Sequence, residues 1–213
     1  MEFYSTMVRF FQEGGFFMYP IALVMAVGAA IALERYLYLG RERSVNRKLW
    51  DQLMPVLQSG KYQQAMSVTG KSNAPISKIL NYGLSRLRSA RRREDIEMAM
   101  DEGLMEVIPR LERRTHYLSA FANIATLLGL LGTIIGLIQA FTAVAHANPA
   151  DKAELLSSSI SVAMNTTAFG LMVAIPLLLI HSVLQSKTTQ IVDSLEMAAV
   201  KFLNIVGEQK APT

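Results

Sequence analysis

Three long apolar stretches dominate the pattern of hydrophobic and polar positions along the chain. They cover residues 16–33, 118–145 and 155–185, and the second and third contain no Asp, Glu, Lys or Arg. A bilayer core about 30 Å thick is crossed by roughly 20 apolar helical residues. Backbone polar groups inside lipid must bond within their own segment, which favours helices. The pattern therefore predicts three transmembrane helices.

The polar remainder of the chain also has helical periodicity, so we expect an all-α integral membrane protein with long helices that extend beyond the membrane. A helical cytoplasmic domain is expected between the first and second spans. The predicted order is a periplasmic segment at 1–15, span one at 16–38, the cytoplasmic domain at 39–116, span two at 117–145, a periplasmic loop at 146–156, span three at 157–184, and a cytoplasmic C-terminal helix and tail at 185–213.

Within the cytoplasmic domain, local signals predict four helical segments. Ser44 is a candidate N-cap, 61–68 has the pattern of a short helix, and Pro75 suits a helix start. Apolar residues at helical spacing over 94–116 predict a helix that continues without interruption into the second span, bent slightly at Pro109.

Basic residues set the expected orientation. Residues 39–116 carry fifteen of the 21 Lys and Arg, whereas the loop between the last two spans carries only Lys152. Because basic residues concentrate on the cytoplasmic side, the N-terminus and the loop around Asn148 are expected outside. The net charge of +4 is explained by this topology, and no nucleic-acid partner is expected.

The first apolar stretch can also be interpreted as a cleaved signal peptide, since Ala30, Ile31 and Ala32 have the A-x-A form. A signal peptide has a basic residue cluster before its apolar region. Here the preceding tail is net acidic and the following region is basic, so we favour a retained helix.

Small residues recur at spacings of three and four along the second span and therefore share one helical face. Such a face permits close helix packing in membranes, and Gly132 with Gly136 forms a GxxxG pair. Thr133 and Thr167 are expected near the middle of their spans, where hydroxyls can line a hydrated path or bond their own helix. The stripes contain Ser119, Ala122, Thr126, Gly129, Thr133, Gly136, Ala140 and Ala143 in span two, and Ser159, Ala163, Thr166, Thr167, Gly170 and Ala174 in span three.

These two spans carry the resemblance to a known family. Residues 125–136 (ATLLGLLGTIIG) resemble the second-helix signature of the MotA/TolQ/ExbB proton-channel family, and 167–171 with 174–176 resemble its third-helix signature. The ending of span one at 33–35 (LER) is also similar to the family. Three spans with an external N-terminus fit the ExbB/TolQ branch.

The resemblance implies a homopentamer in the bacterial inner membrane, around helices of an ExbD- or TolR-like one-span subunit that supplies an aspartate. It implies a proton-driven motor acting on a periplasmic process, with a TonB-like protein as a further candidate partner. Thr133 and Thr167 match the pore-lining threonines of the family. Two positions depart from it, since many relatives have proline at Thr126 and glutamate at Val162. The expected proton pathway comprises Thr133, Thr167, Thr166, Thr126 and Asn165, and the expected packing glycines are Gly129, Gly132, Gly136 and Gly170.

Charged and titratable residues near the membrane edges can be explained by solvation at the interface as well as by a role in function. Glu34 and Arg35 suit the interface, and His181 suits either the interface or a proton exit. The Arg91–Arg93 run suits a cytoplasmic turn or anionic lipid.

The chain has no cysteine, and its three histidines are scattered, so no metal, cofactor or enzymatic activity is expected. Three functions remain open: a motor subunit for biopolymer or nutrient transport, a TolQ-like envelope-maintenance subunit, and a non-conducting scaffold.

Overall fold

The computed structural model describes Phe10 and residues 14–210, without the side chains of 209 and 210. Within these residues the regular secondary structure is entirely α-helical, which confirms the predicted fold class. We number the helices from residue 18 onward. They are α1 Met18–Gln58, α2 Tyr62–Thr69, α3 Pro75–Arg86, α4 Arg93–Glu112, α5 Thr115–His146 and α6 Lys152–Lys210.

Helices α1, α5 and α6 contain the three apolar stretches and are long and apolar enough to cross a membrane. Helix α6 runs for 59 residues and α1 for 41, so both continue well past their apolar parts. The predicted long helices are therefore present. Residues 147–151 connect α5 to α6, which makes this loop shorter than the 146–156 expected from the pattern.

Two predicted helix boundaries are wrong. Ser44 does not start a helix, because α1 passes through it; Gly40 is the sole weak helix former between the apolar stretch and Ser44. The helix expected to run unbroken through 94–116 ends at Glu112, and α5 begins at Thr115. Arg114 between them has φ 65°, in the left-handed region. Neither Gly nor Asn, the usual markers of that conformation, stands there, so local sequence does not indicate this break.

The chain divides into two compact units. The first comprises the described residues up to Glu34 together with Arg114–Ser182 and holds the apolar parts of α1, α5 and α6. Its buried positions are mainly small or aliphatic: Ile21, Ala122, Ala125, Gly129, Gly132, Ala163, Gly170, Val173 and Leu177. Small side chains let helix backbones approach closely, which is how membrane helices gain dispersion contacts.

The second unit comprises Arg35–Arg113 together with the described residues from Val183 onward. The C-terminal part of α6 packs there with the polar half of α1, with α3 and with the start of α4. Its fully buried side chains include Leu39, Leu53, Leu57, Ile79, Leu80, Leu84, Ile96, Met100, Leu111 and Phe202. This is an ordinary hydrophobic core, unlike the small-residue packing of the first unit.

A polar cluster joins α3 to α4 at the surface of the second unit. The Glu106 carboxylate accepts hydrogen bonds from Lys78 Nζ at 3.1 Å, Tyr82 Oη at 3.2 Å and Arg110 Nη2 at 2.7 Å. The hydrogen bonds from Lys78 and Tyr82 hold the pKa of Glu106 below its usual value of 4.5. The charged carboxylate is therefore the form that the fold favours.

Candidate functional site

The backbones of helices α5 and α6 meet at a pair of glycines. A Cβ atom placed on Gly170 would lie 2.7 Å from the carbonyl oxygen of Ala125 and 3.1 Å from Cα of Gly129. A Cβ on Gly129 would lie 3.3 Å from Cα of Thr167. Since these neighbours are backbone atoms, a larger residue cannot be accommodated by moving a side chain. The two helix backbones are in direct contact here.

The next two glycines of α5 continue this contact along α6. Gly132 faces the side chain of Thr166, and a Cβ on Gly136 would lie 2.9 Å from Cβ of Ala163. The GxxxG pair therefore packs against a helix of the same chain.

The packed face of α5 differs slightly from the stripe read from the sequence. Three residues of the stripe are buried: Ala122, Gly129 and Ala140. Ala125 and Gly132 are also buried, and they lie along the border of the stripe opposite Thr126 and Thr133. Thr126 is exposed and Thr133 half-buried, so both lie at one border of the packed face. These hydroxyls are therefore not enclosed between α5 and α6.

Thr133 and Thr167 make different hydrogen bonds. The Thr167 hydroxyl donates to the Gly129 carbonyl oxygen across the helix pair at 2.8 Å, whereas the Thr133 hydroxyl donates to Leu130 in its own helix at 2.6 Å. Gly129 faces Thr167 and Gly132 faces Thr166. Thr133 and Thr167 thus lie within about one helical turn, roughly 5.4 Å, of the same depth.

Thr166 lies in a buried position, with 2% of its surface exposed. Its hydroxyl oxygen is 2.6 Å from the Gly14 carbonyl oxygen and 3.0 Å from that of Val162. Gly14 precedes α1, so Thr166 fixes the start of the first apolar helix against α6. Its environment is that of a packing residue.

The remaining polar groups of the predicted pathway are more open. Thr126 donates to the Ala122 carbonyl oxygen of its own helix at 3.1 Å, and Asn165 is half-buried on α6. Neither α5 nor residues 155–185 of α6 contain Asp, Glu, Lys or Arg. This part of the chain can offer hydroxyls, an amide and carbonyl oxygens to a proton, but it has no carboxylate to hold one.

Val162 occupies a packed position on α6. A Cβ on Gly15 would lie 3.2 Å from Cγ1 of Val162, and Gly15 has φ 73°, which favours glycine. An apolar side chain suits this contact with the segment before α1. A carboxylate at 162 would have to be desolvated against it.

The residues at the membrane edge have specific partners that the sequence did not reveal. Glu34 forms an ion pair with Arg114, with Oε2 and Nη1 3.2 Å apart. In the second unit, Arg35 is 3% exposed, and its guanidinium donates to the Leu111 carbonyl oxygen and lies 4.8 Å from the Tyr38 ring centre. Leu111 is in the last turn of α4, where carbonyls lack helical partners, so Arg35 caps that helix. His181 is half-buried on α6.

Groups of acidic, cysteine and histidine side chains that could hold a metal ion are absent from the described part of the chain. What the site offers is a close-packed helix pair with hydroxyls along its border.

Comparison with known proteins identifies the chain's relatives. The sequence profile of the MotA/TolQ/ExbB proton channel family matches residues 71–197. A putative biopolymer transport protein ExbB homolog of Methanothermobacter thermautotrophicus is 30% identical over 92% of this chain and 69% of its own length. A putative biopolymer transport protein ExbB-like 1 of Synechocystis is 31% identical over 86% of this chain and 72% of its own. The Tol-Pal system protein TolQ of Haemophilus influenzae is 30% identical over 54% of this chain and 51% of its own.

Proposed function

Because the chain belongs to the MotA/TolQ/ExbB proton channel family, in its ExbB/TolQ branch, we propose that it is the three-span subunit of a proton-driven motor in the bacterial inner membrane. The motor transmits the energy of the proton gradient to a periplasmic or outer-membrane process. Biopolymer or nutrient transport through a TonB-like partner is the process we favour. The Methanothermobacter and Synechocystis relatives, named as putative biopolymer transport proteins, align over 92% and 86% of the chain, whereas the TolQ relative aligns over 54%.

The observation that carries the proposal is the hydroxyl border of the α5–α6 pair. Thr133 and Thr167 lie at similar depth, in α5 and in the 155–185 part of α6, which contain no Asp, Glu, Lys or Arg. Hydroxyls and water can relay a proton, but a relay through lipid needs a site that binds and releases it. We therefore assign the titrating carboxylate to a one-span, ExbD- or TolR-like subunit and the polar lining to this chain.

Assembly as a homopentamer around that partner uses a different face of α5. Beyond the packed face, α5 exposes a band of large apolar side chains that suits lipid or a neighbouring copy. The proposed orientation places the residues before α1 and the 147–151 loop in the periplasm and the second unit in the cytoplasm. The exposed apolar band consists of Leu127, Leu130, Ile134, Ile138 and Phe141.

A non-conducting scaffold is the second candidate, and one observation favours it. The hydroxyls of Thr126, Thr133, Thr166 and Thr167 all donate to backbone carbonyls. Such bonds satisfy a threonine in a purely structural helix pair. Thr133 discriminates between the two functions, because its hydroxyl bonds only within its own helix turn and contributes little to packing of α5 on α6.

Proton flux into vesicles that contain the complex with its one-span partner tests the proposal. We expect Thr133→Val and Thr167→Val together to abolish flux, because the partner carboxylate loses polar groups that stabilise its charged form. Thr142→Val is the matched control, since Thr142 is exposed on α5 and donates to its own helix at Ile138. Full flux in the double variant, with the oligomer mass unchanged, would remove these two threonines from the proton path, and absence of flux in the wild-type complex would move the assignment to a scaffold.

A further inference from the structure

A cavity of about 240 Å³ opens in the second unit, where α1, α3 and α6 meet. Four of its lining residues are Arg43, Asn46, Arg47 and Trp50. Their spacing of three and four places them on one face of α1. The backbone of Ile76, at the start of α3, closes another side. This cavity is remote in sequence from the threonines assigned to proton flow.

Asn46 is the unusual member of this lining. It is 4% exposed, and its Oδ1 accepts a hydrogen bond from the Ile76 backbone N–H at 3.2 Å. Its Nδ2 is buried and has no hydrogen-bond partner within the part of the chain that the structure describes. Buried polar groups nearly always have a partner, because leaving a donor unpaired costs its full desolvation. The described residues thus leave this amide donor to an acceptor from outside the chain, such as an ordered water or a ligand.

The electrostatics of the cavity favour an anion. Arg43 and Arg47 contribute two positive charges, and no carboxylate lines the cavity. In the described residues neither guanidinium forms an ion pair. The N-terminus of the 12-residue helix α3 adds the positive end of its dipole, but not free donors, because Pro75 has no N–H and the Ile76 N–H is bonded to Asn46 Oδ1.

We propose that this cavity binds a phosphate group carried by a phosphomonoester or phosphodiester. The guanidinium groups of Arg43 and Arg47 bind the phosphate oxygens, and Asn46 Nδ2 donates to one of them. Trp50 provides an apolar wall for the organic part of the ligand. Gln190 and Ser194 of α6 line the opposite side, so an occupied cavity ties α6 to α1 and α3. The phosphate comes either from an anionic lipid headgroup or from a soluble phosphate ester.

The competing explanation is that Asn46 serves only as a cap for α3. The substitution Asn46→Asp separates the two roles, because an aspartate keeps the oxygen that accepts from Ile76 but replaces the amide donor with a negative charge. If Asn46 only caps α3, the effect of phosphate on the melting temperature is the same in Asn46→Asp as in the wild type. Ligand binding predicts that the response disappears while the melting temperature without ligand is retained.

The test is the melting temperature of the full chain in detergent, titrated with sodium phosphate or glycerol 3-phosphate against sodium chloride of equal ionic strength. A parallel arm uses vesicles of phosphatidylcholine with and without phosphatidylglycerol. The variant is Arg43→Gln with Arg47→Gln. Its control is Arg41→Gln with Lys48→Gln, which removes the same charge from α1 outside the cavity lining.

We expect phosphate compounds to raise the melting temperature of the wild type and of the control, with affinity weakened about tenfold or more in the Arg43, Arg47 variant. Stabilisation by soluble phosphate identifies a soluble ester as a sufficient ligand, and stabilisation by phosphatidylglycerol alone identifies a lipid headgroup. The proposal is overturned if neither source stabilises the wild type, if both double variants lose the response equally, or if Asn46→Asp retains it.

Discussion

The Thr167 hydroxyl donates a hydrogen bond to the carbonyl oxygen of Gly129, 2.8 Å away, and so joins α6 to α5. Glycine at 129 has no side chain to shield this carbonyl, so the threonine reaches it directly. The Thr167 side chain thereby both holds α6 against α5 and provides a polar group at the border of the helix pair.

This bond gives a prediction about stability. Thr167→Val should lower the free energy of unfolding by about 0.6–1.7 kcal/mol, the range measured for hydrogen bonds between membrane helices. Thr167→Ser keeps the hydroxyl and should lose less. Thr133→Val should leave stability nearly unchanged, because that hydroxyl bonds only to Leu130 of its own helix. Unfolding in detergent measures all three, and equal losses for Thr133→Val and Thr167→Val would contradict the interpretation.

Two glycine-to-alanine substitutions should act in opposite directions. Gly170→Ala places a Cβ against the Ala125 carbonyl and the Gly129 backbone, so the helices must separate and stability should fall by about 1–3 kcal/mol. Gly40→Ala meets no atom within 4 Å and should stabilise α1 by about 0.5–1 kcal/mol. The melting temperatures of the two variants, each compared with that of the wild type, test both predictions. A neutral Gly170→Ala would show that α5 and α6 are not in backbone contact.

The left-handed conformation of Arg114 can be tested with a matched pair. Arg114→Gly and Arg114→Ala both remove the ion pair with Glu34. The Arg114 and Glu34 side chains of this pair are 46% and 45% exposed. Only glycine adopts φ 65° without strain. The glycine variant should therefore be more stable than the alanine variant by about 1 kcal/mol. If alanine is equally stable, the break between α4 and α5 does not need a left-handed residue.

The Glu106 cluster predicts a pH dependence of stability. The pKa of Glu106 is lowered in the fold, first by the hydrogen bond from Lys78 and then by that from Tyr82. A depressed carboxyl pKa stabilises the fold above the unfolded value and loses this contribution as pH falls through the folded pKa. Glu106→Gln should thus be less stable than the wild type at neutral pH, and the difference should vanish well below pH 4.5.

Thermal unfolding of the wild type and of Glu106→Gln, at neutral pH and well below pH 4.5, measures this effect. Glu97→Gln is the control, because Glu97 is exposed on the same helix and the substitution removes the same charge. A difference between wild type and Glu106→Gln that persists at low pH would mean that the glutamate side chain acts through packing.

The proposed orientation is open to labelling, because the native chain has no cysteine. Asn148 in the α5–α6 loop and Arg91 before α4 are both exposed. In intact spheroplasts an impermeant thiol reagent should modify Asn148→Cys and leave Arg91→Cys unmodified until the membrane is permeabilised. Modification of Arg91→Cys alone in intact cells would invert the topology.

The sequence by itself determined the all-α class, the three apolar helices and the family. These properties follow from local composition and motifs: a run of about 20 apolar residues has one stable form in lipid, wherever its neighbours lie. The starts of α2 and α3 were also predicted within one residue, since turn residues and Pro75 act locally.

Tertiary structure decided which face of α5 is packed, that the helix breaks at Arg114, and which groups Arg35, Asn46 and Thr166 contact. Helical spacing allows either border of the small-residue stripe of α5, at Thr126 or at Gly132, to face a neighbouring helix. The position of α6 decides that Gly132 is packed and Thr126 is exposed. The hydrogen bonds of Thr166 to Gly14 and of Asn46 to Ile76 join residues far apart in sequence. Such partners are fixed by packing of whole helices, which no local signal encodes.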